Sequence, residues 1–109
     1  MPVPYDNQCG VGRAMNVIGE RWTIMILRDL MRKESVRFQD LRDSLAGISP
    51  QTLSQRLKSL EANGMVERHL YAEHPPRAEY QLTSKGRALQ PALRALRLWG
   101  EKYTDAPRI

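Results

Sequence analysis

Cysteine is nearly absent, with Cys9 the only one in 109 residues. A lone thiol makes no disulfide within the chain and no zinc site built from cysteines, so stability has to come from helix packing or from association of copies. Histidine is almost as scarce. His69 and His74 are the only two, and in a predicted strand and turn they share no helix face and supply no three-ligand metal set. No glycine-rich phosphate loop follows a predicted strand, and no orienting motif pairs a nucleophile with a base. Neither an enzyme nor a bound cofactor is expected. Apolar runs are all far shorter than the roughly 20 residues of a membrane helix, and Met1-Pro2-Val3-Pro4 has no basic-then-apolar signal pattern. The expected location is therefore the cytoplasm, without a membrane partner.

A chain of this length holds one small core, too little for a cofactor domain and a substrate domain together. Residues 1–109 are expected to form one domain. Hydrophobic residues at 41% suit a folded chain, and charged residues at 27% suit a soluble surface. Lys and Arg number 17 against 12 Asp and Glu, for a net charge of +5. That excess favours an acidic partner such as nucleic acid or an anionic membrane surface, although no segment is a polybasic tail.

Periodicity organises the rest. Val11, Met15 and Ile18 recur at helical spacing before Gly19. From Arg21 to Lys33 the segment is apolar around most of its circumference, as in a central helix contacted on several sides. Phe38, Leu41 and Leu45 mark a two-turn helix stopped by Gly47. Ser49 then offers a helix cap and Pro50 fits the first helical position, opening a helix over about 49–63 with Leu53, Leu57 and Leu60 as its buried stripe. After Gly64 the period changes to two, which predicts a β-hairpin over 65–82 with its tip near 72–77. Thr83 caps one more turn, and Pro91 begins a final helix through Tyr103 carrying Leu93, Leu96 and Trp99. The fold class is mainly α with a small β-hairpin wing, in the element order of a winged helix-turn-helix module.

Four local patterns carry a resemblance to a known family. They are Cys9 with Gly19-Glu20-Arg21-Trp22-Thr23-Ile24; Arg37-Phe38-x-x-Leu41; Ile48-Ser49 with Thr52-Leu53-Ser54-Gln55-Arg56-Leu57-Lys58-x-Leu60-Glu61-x-x-Gly64; and Pro75-Pro76-Arg77-x-Glu79-Tyr80-x-Leu82-Thr83-x-x-Gly86. Over about residues 9–103 the sequence resembles the HxlR-type branch of the MarR-like winged-helix transcriptional regulators. Gly10 departs from the proline usual after the family's cysteine. The resemblance implies a homodimer joined by its terminal helices, with two recognition helices in neighbouring major grooves and a wing on phosphates or the minor groove. It also implies that the cysteine at the position of Cys9 serves, in some members, as a switch for oxidants or electrophiles. An oxidant or small-molecule effector is thus a further expected partner beside an operator of double-stranded DNA.

A helix about 11–12 Å across fits a major groove about 12 Å wide. Gln51, Thr52, Ser54 and Gln55 present donors and acceptors suited to base edges, while Ser49 and the first helical N–H groups suit a phosphate. Arg56 and Lys58, farther along, suit phosphates. On the wing Arg77 is the first choice for a backbone or minor-groove contact, with His74 and Arg68 behind it; the alternative is an ion pair with Glu73 or Glu79. Arg37 either clamps the DNA backbone or pairs with Asp40. Cys9 precedes a helix N-terminus that would lower its pKa, with Arg13 one turn onward and Asp6 opposing; the alternative is a packed structural thiol. Leu93, Leu96, Trp99 and Tyr103 are the expected dimer interface. The functional expectation is a sequence-specific regulator acting as a homodimer on a pseudo-palindromic operator. The rival is a winged helix used for protein contact, whose affinity would be insensitive to salt.

Overall fold

Among residues 6–107, which the computed structural model describes, the order is α1 (Gly10–Ile18), α2 (Arg21–Arg32), β1 (Val36–Arg37), α3 (Phe38–Ser44), α4 (Pro50–Ala62), β2 (Val66–Glu73), β3 (Pro76–Leu82), α5 (Ser84–Arg87) and α6 (Gln90–Tyr103). The segment Met1-Pro2-Val3-Pro4 lies outside the described residues. Every helix expected from periodicity is present. The strand β1 is the addition: it pairs antiparallel with β3, Val36 opposite Tyr80 and Arg37 opposite Glu79, so the hairpin becomes a three-stranded sheet in the order β1-β3-β2. The hairpin itself is longer than expected, with pairing from Val66 opposite Leu82 out to Glu73 opposite Pro76, and only His74 and Pro75 between its strands.

Helix starts follow from cap chemistry. The Ser49 hydroxyl accepts a 3.0 Å bond from the Thr52 N–H, with Pro50 in the first turn as its sequence position suggests. At α2 the cap is Glu20, whose carboxylate accepts from the N–H groups of Trp22 at 2.9 Å and Thr23 at 3.1 Å. An acid there also suits the positive end of the helix dipole. The end of α4 is a left-handed turn: Gly64 has φ +72°, and the Met65 N–H returns to the Leu60 carbonyl at 2.9 Å. Gly86 has a different reason. A Cβ there would lie 2.3 Å from the Met65 carbonyl oxygen, so only glycine lets α5 approach the start of β2.

The core joins Ile18 of α1; Ile26, Leu27 and Leu30 of α2; Leu41 of α3; Leu53, Leu57 and Leu60 of α4; and Val36, Val66, Tyr80 and Leu82 of the sheet. The α2 helix departs in one respect from the expectation of contact on several sides. Trp22, Ile24, Met25 and Met31 are only half-buried, and Ile24, Met25 and Met31 face an open groove shared with α6. Asp29 is the buried acid of α2, met by Arg28 at 2.9 Å and Arg32 at 3.7 Å.

The final helix has no fully buried residue, and touches the core through half-buried Leu93. Leu96, Trp99 and Tyr103 are 55%, 60% and 62% exposed, and the Trp99 and Tyr103 rings lie against each other with centroids 5.6 Å apart. The radius of gyration is 15.0 Å, against about 13 Å for a compact chain of this length.

Leu57 is 1% exposed at the centre of the α4 stripe. Leu57→Ala is expected to lower stability by about 2–5 kcal/mol through lost transfer energy and the cavity left behind, read from urea unfolding monitored by circular dichroism. A loss below about 1 kcal/mol would show that α4 is not held by this stripe.

Candidate nucleic-acid interface

Burial of Leu53, Leu57 and Leu60 turns the opposite side of α4 outward. Gln51, Gln55 and Lys58 are exposed, and Thr52 and Ser54 are half-exposed. Gln51 and Gln55 carry both donors and acceptors, free of any hydrogen bond among the described residues. Ser49 and Thr52 are occupied locally: their hydroxyls bond at 2.9 Å, in addition to the cap itself. The exposed start of α4 thus keeps its N–H groups near a hydroxyl pair, a setting that suits an anion.

Beside α4 the chain forms an open groove of about 790 Å³, bounded by α3, α4 and the wing. Arg37, Lys58, Arg68 and Arg77 line it, with Asp40 and Glu61 as the acids. Of the expected contact residues, Arg37, Ser54, Lys58, Arg68 and Arg77 are therefore brought to one concavity. Ser49, Gln51, Thr52 and Gln55 lie on the neighbouring outer face of α4, and His74 is exposed at the hairpin tip.

The rival ion pairs do not form. Among the described residues no ion pair involves Arg37, Lys58 or Arg77. Glu79, the candidate partner for Arg77, instead accepts a 2.9 Å bond from the Ser35 hydroxyl. Arg37 turns from Asp40 to Tyr71, its guanidinium carbon 5.0 Å from the ring centroid. Arg56 behaves differently. Its Nε stands 3.2 Å from the Glu20 carboxylate, an ionic contact without hydrogen-bond alignment that ties α4 to the cap of α2. Burial raises the pKa of Tyr80 on β3, against the opposing effect of Arg68 beside it.

Cys9 is exposed and occupies the N-cap position of α1, without a side-chain cap hydrogen bond. Its pKa is lowered by the nearby backbone N–H groups of Gly12 and then Val11, which favours the thiolate. The expected contribution of Arg13 is corrected here, because its guanidinium bonds the Asn7 carbonyl at 2.9 Å and does not figure among the causes of the shift. Asp6 is likewise turned to the Gln8 N–H at 2.8 Å.

Two participants were not singled out from the sequence. Glu20 reads as an ordinary surface acid until its carboxylate is seen gathering two N–H groups and an arginine. Tyr71 reads as one more residue in an alternating strand. Among the described residues no three His, Cys, Asp or Glu side chains are grouped to hold a metal ion, and no helix is long and apolar enough to cross a membrane.

Comparison with known proteins agrees with this geometry. The sequence pattern of the HxlR-like helix-turn-helix family matches residues 17–108. An HTH-type transcriptional regulator of Synechocystis is 37% identical over 97 residues, covering 89% of this chain and 71% of that protein. Among solved structures, the oxidized form of the redox regulator HypR superposes with a TM-score of 0.81 at 34% identity, covering 90% of this chain and all of the other. The reduced form of the transcriptional regulator YodB from B. subtilis gives 0.73 at 33% identity, covering 92% and 98%. A mainly helical chain with a small three-stranded wing, matched in sequence along most of its length, belongs to the HxlR-like helix-turn-helix family of transcriptional regulators.

Proposed function

We propose that this protein is a homodimer that binds a pseudo-palindromic operator in double-stranded DNA and answers oxidants or electrophiles through Cys9. The observation that carries the reading is the cationic groove beside the polar outer face of α4. In this reading α4 lies in the major groove, where Gln51, Thr52, Ser54 and Gln55 meet base edges. Arg37, Lys58 and Arg77 take phosphates on either side, with Ser49 and the start of α4 holding another. His74 and Arg68 complete the wing contacts, and Arg56 acts indirectly by holding α4 to Glu20. Two copies related by a twofold axis present two such helices, which calls for half-sites about one helical turn apart.

Dimerisation rests on α6. A small chain gains by covering an exposed apolar stripe, and Leu96, Trp99 and Tyr103 offer one on a helix with no fully buried residue, with half-buried Leu93 at its inner edge. Large aromatic side chains are also the usual anchors of interfaces. Trp99→Ala is expected to weaken the dimer by at least about 2 kcal/mol, roughly thirtyfold in dissociation constant, measured by sedimentation equilibrium. An unchanged constant would remove α6 from the interface.

Titration of duplexes from the protein's own upstream region and of scrambled duplexes, at two salt concentrations, tests the DNA reading. Sequence-selective binding that weakens as salt rises is expected, whereas salt-insensitive behaviour with no duplex preference would favour a protein-contact module. Arg77→Ala should weaken binding to all sequences and reduce the salt slope by about 1, while Gln55→Ala should change preference among bases by about 1–3 kcal/mol at one position. Uniform loss across sequences for Gln55→Ala would sink its assignment to a base edge.

For Cys9 the products open to a single thiol are a disulfide with a second copy's cysteine, an adduct with a small molecule, or oxidation to the sulfenic acid. The lowered pKa predicts that alkylation by iodoacetamide reaches half its maximal rate at a lower pH than for a cysteine in an unstructured peptide. Cys9→Ser is expected to keep DNA affinity under reducing conditions and lose any response to diamide. An oxidant response that survives in this variant would end the switch.

A further inference from the structure

The wing strand β2 is irregular at one place. Pairing runs Leu70 opposite Ala78 and then Ala72 opposite Arg77, so Tyr71 is the extra residue of a β-bulge. Bulges re-aim a side chain without ending the sheet. Here the Tyr71 ring lines the groove and lies under the Arg37 guanidinium, 5.0 Å from centroid to carbon. The two residues stand on the outer strands of the sheet, β1 and β2, with small Ala78 on the central strand lining the same groove.

Other arginines show what this contact avoids. Arg28 is held by Asp29 and Arg97 by Glu101, each with part of its charge and donor edge committed to a carboxylate, and Arg56 has its charge paired with Glu20. An aromatic ring takes a different part of a guanidinium: it attracts the cation through its face and leaves the five N–H donors, which lie along the edge of the plane, available to an anion. Arg37 has no carboxylate partner among the described residues. It is ordered without being neutralised.

We propose that Tyr71 is a positioning residue, placed by the bulge so that its ring holds the Arg37 guanidinium over the groove with its donor edge open to a phosphate of the DNA backbone. The inference rests on the DNA-binding reading above. Ordering a long side chain before binding removes an entropy cost that binding would otherwise carry.

The test is a double-mutant cycle on full-length protein, with affinity for an operator duplex at fixed salt as the readout. Tyr71→Leu is expected to weaken binding by about two- to fivefold, the range of an exposed cation–π contact. Tyr71→Phe, which keeps the ring and removes the hydroxyl, should recover the loss. In an Arg37→Gln background Tyr71→Leu should have no further effect. Tyr71→Thr serves as a second non-aromatic variant, and circular dichroism melts verify that each protein is folded. An NMR readout without DNA complements the cycle: ring-current shifts at the Arg37 side chain should persist with Phe and vanish with Leu.

A Tyr71→Leu loss that persists undiminished with Arg37→Gln overturns the proposal, as does a Phe variant as weak as Leu, or no loss at all. If the unsubstituted protein shows no salt-dependent binding to any duplex, the DNA reading fails first and this role falls with it. Binding by the unsubstituted protein that is indifferent to Tyr71 removes only the positioning role.

Discussion

The packing of Leu53, Leu57 and Leu60 against the central helix is the constraint on which the rest depends. These residues leave almost no surface exposed, and they meet Ile26, Leu27 and Leu30 of α2 in one core. A helix pinned along one side has no rotational freedom left. Its opposite side, with Gln51, Gln55 and Lys58, is therefore presented as a fixed row of polar groups. Glu20 sharpens the arrangement from the other end by capping α2 and holding Arg56 of α4. The same carboxylate thus completes one helix and orients another.

The wing is attached to this body by backbone and by charge. β1 ties the start of α3 to the central strand β3, and the Ser35 hydroxyl bonds Glu79 across the same junction. Thr83 and Lys85 anchor the base of the hairpin, their side chains bonding the carbonyls of Gly64 and Asn63 at 2.6 Å each. With the hairpin fastened at its base, Arg68 and Arg77 line a groove with Lys58. Cations facing one another in this way repel unless an anion comes between them. In the proposed function that anion is the DNA backbone.

Much of this was legible along the chain. Ser49-Pro50 announced the start of α4, Gly64 its stop, and the alternation after Gly64 the hairpin, because caps, left-handed turns and period-two burial are local properties. The polar composition of the α4 outer face could be read for the same reason. What escaped notice depends on partners distant in sequence. β1 is two residues long, too short to show a period, and exists because β3 supplies its hydrogen bonds. The Arg56 pairing needs Glu20, 36 positions earlier in the chain. The lowered pKa at Cys9 is legible from the helix start, because its causes are the N–H groups there, at Gly12 and Val11; Arg13 takes no part, its guanidinium being held by the Asn7 carbonyl.

By itself, then, the amino-acid order determined the elements, their faces and the residue types on the outer side of α4, since each follows from interactions within a few residues. Only the tertiary structure decided which cations stay unpaired. Among the described residues Arg37, Lys58 and Arg77 form no ion pair while Arg56 meets Glu20 of α2; the pairs Arg28–Asp29 and Arg97–Glu101, one and four positions apart, are local. Tyr71 likewise meets Arg37 because a bulge and strand order bring them together. The physical reason is reach: a guanidinium interacts with whatever lies within about 6 Å, and for Arg37 and Arg56 what lies there is set by chain crossings that no local spacing records.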